Sequence, residues 1–195
     1  MKEKINNLIQ FVHDAHEETR KTLSDKIIRG HLRVLSAEIE DGIAFFVSEI
    51  IPSEYKVLLD PSININGENN RPDLLLIDQN NNVKVLMEIK SNMGWCRNSQ
   101  SVADKIINKD KLFSAKSTLV CKFKEHDSIE VKYGNNVPLY LIALTSKNCP
   151  QKRHDDNKVI TKEKGVRHYL LFKNWYHSLE ELEIEKFAND LVNSI

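Results

Sequence analysis

The sequence predicts an α/β fold, a central mixed β-sheet flanked by helices. Three observations point to it. The apolar period is helical at both ends of the chain and in one stretch between. It changes to two from Tyr55 to Lys90, and the continuous apolar run from Val137 to Leu144 reads as a buried central strand. The 195 residues suit one domain spanning 1–195. Its core covers about 31–175, behind a helical N-terminal extension at 1–30.

Taken in order, Ile5, Leu8, Ile9 and Val12 recur at helical spacing in a segment from Lys2 to about Leu23. A second helix is expected from His31 to Ile51, ending at Pro52. Its positions Leu32, Leu35, Ile39, Ile43, Phe46 and Ile50 make one apolar stripe. Tyr55–Asp60 reads as a short strand, followed by a polar loop rich in Asn and Gly. Arg71–Asp78 and Val83–Lys90 are apolar strands joined by Gln79-Asn80-Asn81-Asn82, a connection that reads as an antiparallel hairpin. A third helix is expected from about Val102 to Lys124. Val166–Lys173 is a further strand, and a closing helix covers 178–193, where Ser178 and Glu181 have capping-box spacing.

Composition excludes several classes. Hydrophobic residues at 41% and charged residues at 29% are ordinary globular values. The apolar runs are too short to span a bilayer, and the opening Met-Lys-Glu-Lys has no hydrophobic signal region. Cys96, Cys121 and Cys149 are scattered and without CxxC spacing, so reduced thiols in a cytoplasmic protein are expected. The histidines form no HExxH motif, and no glycine-rich phosphate loop or GxSxG is present, so no nucleotide cofactor is expected. Net charge is zero, but it is unevenly distributed. Lys84–Lys124 holds nine Lys/Arg against three Asp/Glu, and Lys147–Arg167 seven against three. A molecule with a basic side able to meet phosphates follows, with solvated loops as the plainer alternative.

The hairpin gathers the chemistry. With symmetry about Asn80–Asn81, facing residue numbers sum to 161, so Asp73 lies opposite Glu88, with Cβ atoms ~4.5–5.5 Å apart. Lys90 lies two residues beyond Glu88 and projects from the same face. The other face holds Val83, Val85, Met87 and Ile89, expected to be core. Two facing carboxylates repel unless a cation offsets them, and hard oxygen ligands suit Mg²⁺, with Mn²⁺ as a substitute. A lysine beside such an ion can hold an attacking water and stabilise charge developing at phosphorus. The tripeptide [DE]xK alone says little, since it also occurs at Glu54–Lys56, Glu130–Lys132 and Asp156–Lys158. Only Glu88–Lys90 ends an apolar strand and faces a Pro-Asp. A solvated cross-strand salt-bridge cluster is the plainer reading of the same residues.

Pro72-Asp73, then Glu88-Ile89-Lys90, resembles the PD-(D/E)xK nuclease superfamily, in particular its type II restriction-endonuclease-like members. The resemblance covers about His31 to Leu144 and implies a restriction-endonuclease-like core. It implies a metal set of Asp73, Glu88 and Ile89, with Lys90 serving the attacking water. Many members add an acid from the preceding helix. Leu35-Ser36-Ala37-Glu38-Ile39-Glu40-Asp41 resembles such a helix, which favours Glu40, with Glu38 second and Glu49 third. Lys90-Ser91-Asn92-Met93-Gly94-Trp95 resembles the loop leaving the catalytic strand. Trp95, Arg97, Lys105, Lys109 and Lys111 are then candidate DNA contacts. The implied function is Mg²⁺-dependent cleavage of double-stranded DNA, restriction-type, by a homodimer. A repair or Holliday-junction nuclease, or a non-catalytic DNA- or protein-binding module, would share the fold.

Overall fold

The computed structural model describes residues 1–20, 36–92, 99–145, 151–172 and 183–195. Among them the helices are α1 (Lys2–Arg20), α2 (Ser36–Ile50), α3 (Ser99–Ser114), α4 (Gln151–Glu163) and α5 (Ile184–Val192). The strands are β1 (Lys56–Leu59), β2 (Ser62–Ile65), β3 (Glu68–Asn70), β4 (Leu74–Ile77), β5 (Val83–Asn92), β6 (Thr118–Lys122), β7 (Ile129–Lys132), β8 (Leu139–Thr145) and β9 (Val166–Phe172).

Five strands form the expected mixed sheet, in the order β1-β4-β5-β8-β9. β1, β4 and β5 pair antiparallel, while β5, β8 and β9 run parallel. Every residue of β8 is buried, as its unbroken apolar run requires of a central parallel strand. One face of the sheet packs with α1, α2 and α5 around Ile5, Ile43, Met87, Tyr140 and Phe187. The α1–α2 contact is close: a Cβ at Gly42 would come within 2.5 Å of the Phe11 ring. The opposite face packs with α3 and a second, four-stranded antiparallel sheet of order β3-β2-β6-β7.

That second sheet corrects the sequence reading in two places. The polar stretch after Asp60 is not a plain loop but the hairpin β2–β3, with Asn66 and Gly67 at positive φ in its turn. The helix expected to reach Lys124 stops at Ser114, and Thr118–Lys122 is strand β6. Leu119 and Cys121 are buried there while their neighbours are exposed, a period of two. Ser117, at positive φ, lies in the turn between helix and strand.

The β4–β5 pairing follows the expected register at the end that matters. Leu74, Leu75 and Leu76 face Met87, Leu86 and Val85. The symmetry fails near the loop, where Ile77 faces Val83 and Lys84 becomes the extra residue of a bulge. Asn81 is left-handed, and the Asp78 carboxylate accepts from the Asn80 and Asn82 N–H groups. Val83 therefore belongs to the second face, while Val85, Met87 and Ile89 line the first. Both faces are packed, since Leu86 is fully buried on the second.

Helix α4 is absent from the sequence reading. Its inward face is polar: His154, Asn157 and Thr161 are buried and lie at helical spacing. His154 meets His168 of β9 edge to face at 5.5 Å. Residues 31–35 of the expected second helix lie outside the described residues, as do Ser178 and Glu181 of the capping box. At α5 the N-cap is Glu183, without a side-chain cap; its carboxylate instead accepts from the Leu170 N–H at 2.8 Å and pairs with Lys158. No described helix is long and apolar enough to cross a membrane.

Burial, then the neighbouring His154 and Lys158, push His168 down from 6.5 to about 4, and neither of its ring nitrogens has a hydrogen-bond partner among the described residues. The unfolded chain binds the extra proton first, so stability is lost as pH falls from about 6.5 to about 4. Melting temperatures followed across that window should fall less steeply for His168→Phe than for the parent.

Candidate functional site

Pro72 supplies no N–H, and the β4 ladder begins only at Leu74. Asp73 sits at this frayed start, where its carbonyl accepts the Asp60 N–H at 2.9 Å. Its carboxylate Oδ2 accepts the Ile89 N–H of β5 at 2.6 Å. The side chain is thereby clamped to the strand that carries the other two residues. Glu88 and Lys90 alternate with Ile89 and share the face of Leu86, beside Leu141 and Ala143 of β8.

The expected trio is brought together. The Lys90 ammonium donates to Asp73 Oδ2 at 3.2 Å, to Glu88 Oε2 at 3.4 Å and to the Ile89 carbonyl at 2.9 Å. Glu88 is buried, with a second cation against it, Lys109 of α3, which pairs with Oε1. Lys109 also donates to the Arg71 carbonyl at 2.8 Å. The lysine set down as a DNA contact is thus folded into the carboxylate centre. Its place was visible only as helical spacing within α3, because nothing local says which strand a helix covers.

Two glutamates of the preceding helix, Glu38 and Glu49, are exposed, whereas Glu40 is half-buried. Burial, with the nearby charges of Asp73 and Asp60, raises the Glu40 pKa from 4.5 to about 7, and Lys90 only partly opposes this. Glu40 therefore joins the centre electrostatically. Asp60, which the sequence reading passed over, belongs to it as well. It is left-handed at φ 46°, and its carboxylate is gripped by Arg71. Burial alone would lower the Lys90 pKa, but Asp73 and Glu88 outweigh it and hold it above the ordinary 10.5. Lys90 is consequently a firm cation and a hydrogen-bond donor.

Lys105 and Lys111 are exposed on α3. Trp95 and Arg97 lie outside the described residues. No group of three His, Cys, Asp or Glu side chains among the described residues is placed to hold a metal. The oxygens around the Lys90 ammonium are two carboxylates and one main-chain carbonyl. These are hard donors of the type Mg²⁺ takes, usually from one or two carboxylates with water completing the shell. The donor set therefore fits a divalent cation, with the ammonium standing where positive charge is required.

No known family model and no curated protein matches the chain. Among solved structures, the cAAA-bound form of NucC from P. aeruginosa is similar over 97% of this chain and 90% of its own length. The TM-score is 0.55 and the sequence identity 12%. The likeness shows the fold: a central mixed sheet flanked by helices, as the sequence led one to expect.

Because the Glu40 pKa is raised, its contribution to stability is complete below about 4.5 and is lost as pH rises through about 7. Glu40→Gln should melt with the parent at the acid end and above it beyond neutrality when chelator is present. Adding MgCl₂ should narrow the gap at the alkaline end. Coincident melting curves across the range would show that Glu40 is not part of the charge cluster.

Proposed function

We propose that this chain is a Mg²⁺-dependent endonuclease that hydrolyses phosphodiester bonds in DNA, acting on double-stranded DNA as a homodimer. The observation that supports this most is the convergence of Asp73, Glu88 and the Ile89 carbonyl on one cationic atom. The fold shared with NucC supports it at the coarser level.

Asp73, Glu88 and the Ile89 carbonyl would hold the cation. When bound, it would supply Lewis acidity toward the phosphate and a lower pKa for a coordinated water. The remaining work falls to the chain's own side chains. Lys90, held protonated, donates a hydrogen bond to a phosphate oxygen or to the attacking water and stabilises the charge that develops there. It is a poor proton acceptor for the same reason. Glu40, with a pKa of about 7, is the group suited to take the proton from the water near neutral pH. Lys109 pairs with Glu88 and holds it directed at the centre. Asp73 is oriented by the Ile89 N–H.

The test is incubation of supercoiled plasmid with the protein in MgCl₂, in MnCl₂ and in chelator. Nicking or linearisation is expected with either metal and none in chelator. Lys90→Ala should lower the rate by about a hundredfold or more, the scale of losing one preorganised donor at a developing charge. DNA binding without cleavage in both metals, over several DNA forms, would overturn the reading. So would a Lys90→Ala protein that cuts as fast as the parent.

A further inference from the structure

A cleft of about 640 Å³ opens beside the carboxylate centre, lined by the β1–β2 corner, Arg71 and the end of β6. Its volume falls within the roughly 300–1,000 Å³ of small-ligand sites. Two of its lining residues, Asp60 and Arg71, also touch the centre. Asp60 lines the cleft, donates its N–H to the Asp73 carbonyl and bears electrostatically on Glu40. The Arg71 side chain lines it as well, while the Arg71 carbonyl accepts from Lys109 at the centre.

The wall formed by β6 has a composition that the centre itself does not need. Lys122, Phe123 and Lys124 follow one another along it. Phe123 packs against the second core cluster and also lines the cleft, which fixes the ring without hiding it. Lys122 and Lys124 are exposed, and neither has an ion-pair partner among the described residues. Of the two acids in the cleft, Asp60 is already neutralised by Arg71, which leaves Glu125. Free cations on either side of a fixed aromatic ring serve a nucleic-acid strand whose base is unstacked. Its phosphates lie on the cations and its base on the ring. A base inside a duplex has no face to offer such a ring.

We propose that this cleft binds an unpaired stretch of nucleic acid next to the bond being cut, with Phe123 as the stacking platform and Lys122 and Lys124 as phosphate contacts. This rests on the reading of the centre as one that cuts double-stranded DNA, and it makes the preferred site within such DNA one with an unpaired segment beside the bond being cut.

Binding in chelator, read by fluorescence anisotropy on the full chain, tests it apart from cleavage. The probes are a labelled single-stranded oligonucleotide, the blunt duplex of the same sequence and a gapped duplex. The single strand and the gapped DNA should bind about fivefold or more tighter than the blunt duplex, and Phe123→Leu should weaken them roughly tenfold while leaving the duplex unchanged. Lys122→Gln with Lys124→Gln should reduce the salt slope of single-strand binding by about 1.4, two phosphate contacts at ~0.7 each. A 2-aminopurine base in the strand should change its fluorescence on binding the parent and less on binding Phe123→Leu. Should Phe123→Leu fail to fold, the exposed lysine pair carries the test through the salt slope.

Equal or tighter binding of the blunt duplex would overturn the proposal. Unchanged binding by the variants, or no binding of any nucleic acid, would do the same. Binding as expected without plasmid cleavage in Mg²⁺ would uphold the cleft and remove the endonuclease reading. Cleavage by a chain whose cleft variants bind normally would do the reverse.

Discussion

The pairing of Leu74 with Met87 governs most of what this molecule can do. Side chains alternate along β5, so a slip of one residue would send Glu88 and Lys90 into the core beneath α2 and bring Met87 and Ile89 to the centre. The apolar pattern resists the slip, because Val85, Met87 and Ile89 are packed on the first face and Leu86 on the second. The loop resists it independently. Asp78 holds the Asn80 and Asn82 amides, and Asn81 is anchored to β7 through the Glu130 carbonyl. The bulge at Lys84 absorbs the mismatch between the loop and the register of the site, so each keeps its own geometry.

Given that register, the electrostatics follow from counting charges within reach of one another. Asp73, Glu88, Asp60 and Glu40 face Lys90, Lys109 and Arg71. Three of the acids are matched with cations. Glu40 has no ion-pair partner among the described residues, and it is the one whose pKa rises to about 7. The excess negative charge of the cluster is thus concentrated on the residue that approaches from a different element. The strand residues are held by cations, and the helix residue is left able to exchange a proton near neutrality.

How much of this the sequence disclosed depends on whether a residue's environment is set locally. Asp73, Glu88 and Lys90 were legible because a short hairpin fixes both spacing and facing, and β8 because an unbroken apolar run marks a strand buried on both faces. Glu40 could be ranked only by a resemblance, since three glutamates flank the α2 stripe similarly and burial distinguishes them only in the folded chain. Helix α4 escaped detection because its buried face is His154, Asn157 and Thr161, which a search for apolar spacing reads as surface. β6 escaped because its alternation of Leu119 and Cys121 with exposed neighbours is short and directly follows a helix. Lys109 was legible as basic but not as the partner of Glu88, which is 21 residues away and on another element.

The same dependence on distant partners explains why the centre is assembled where it is. The second face of the large sheet is covered by two different things, α3 and the small sheet, and polar side chains can remain wet only near where such coverage ends. Glu88 is buried but carries a lysine on each carboxylate oxygen, while Asp73 and Lys90 keep part of their surface exposed. Burying a carboxylate is costly unless cations pair with it. α3 therefore closes the core with Val102, Ile106 and Phe113 and, through Lys109, sets a cation against the acid beneath it. Packing and chemistry share that helix, so a change that moved α3 to improve the core would also unbalance the charges at the centre.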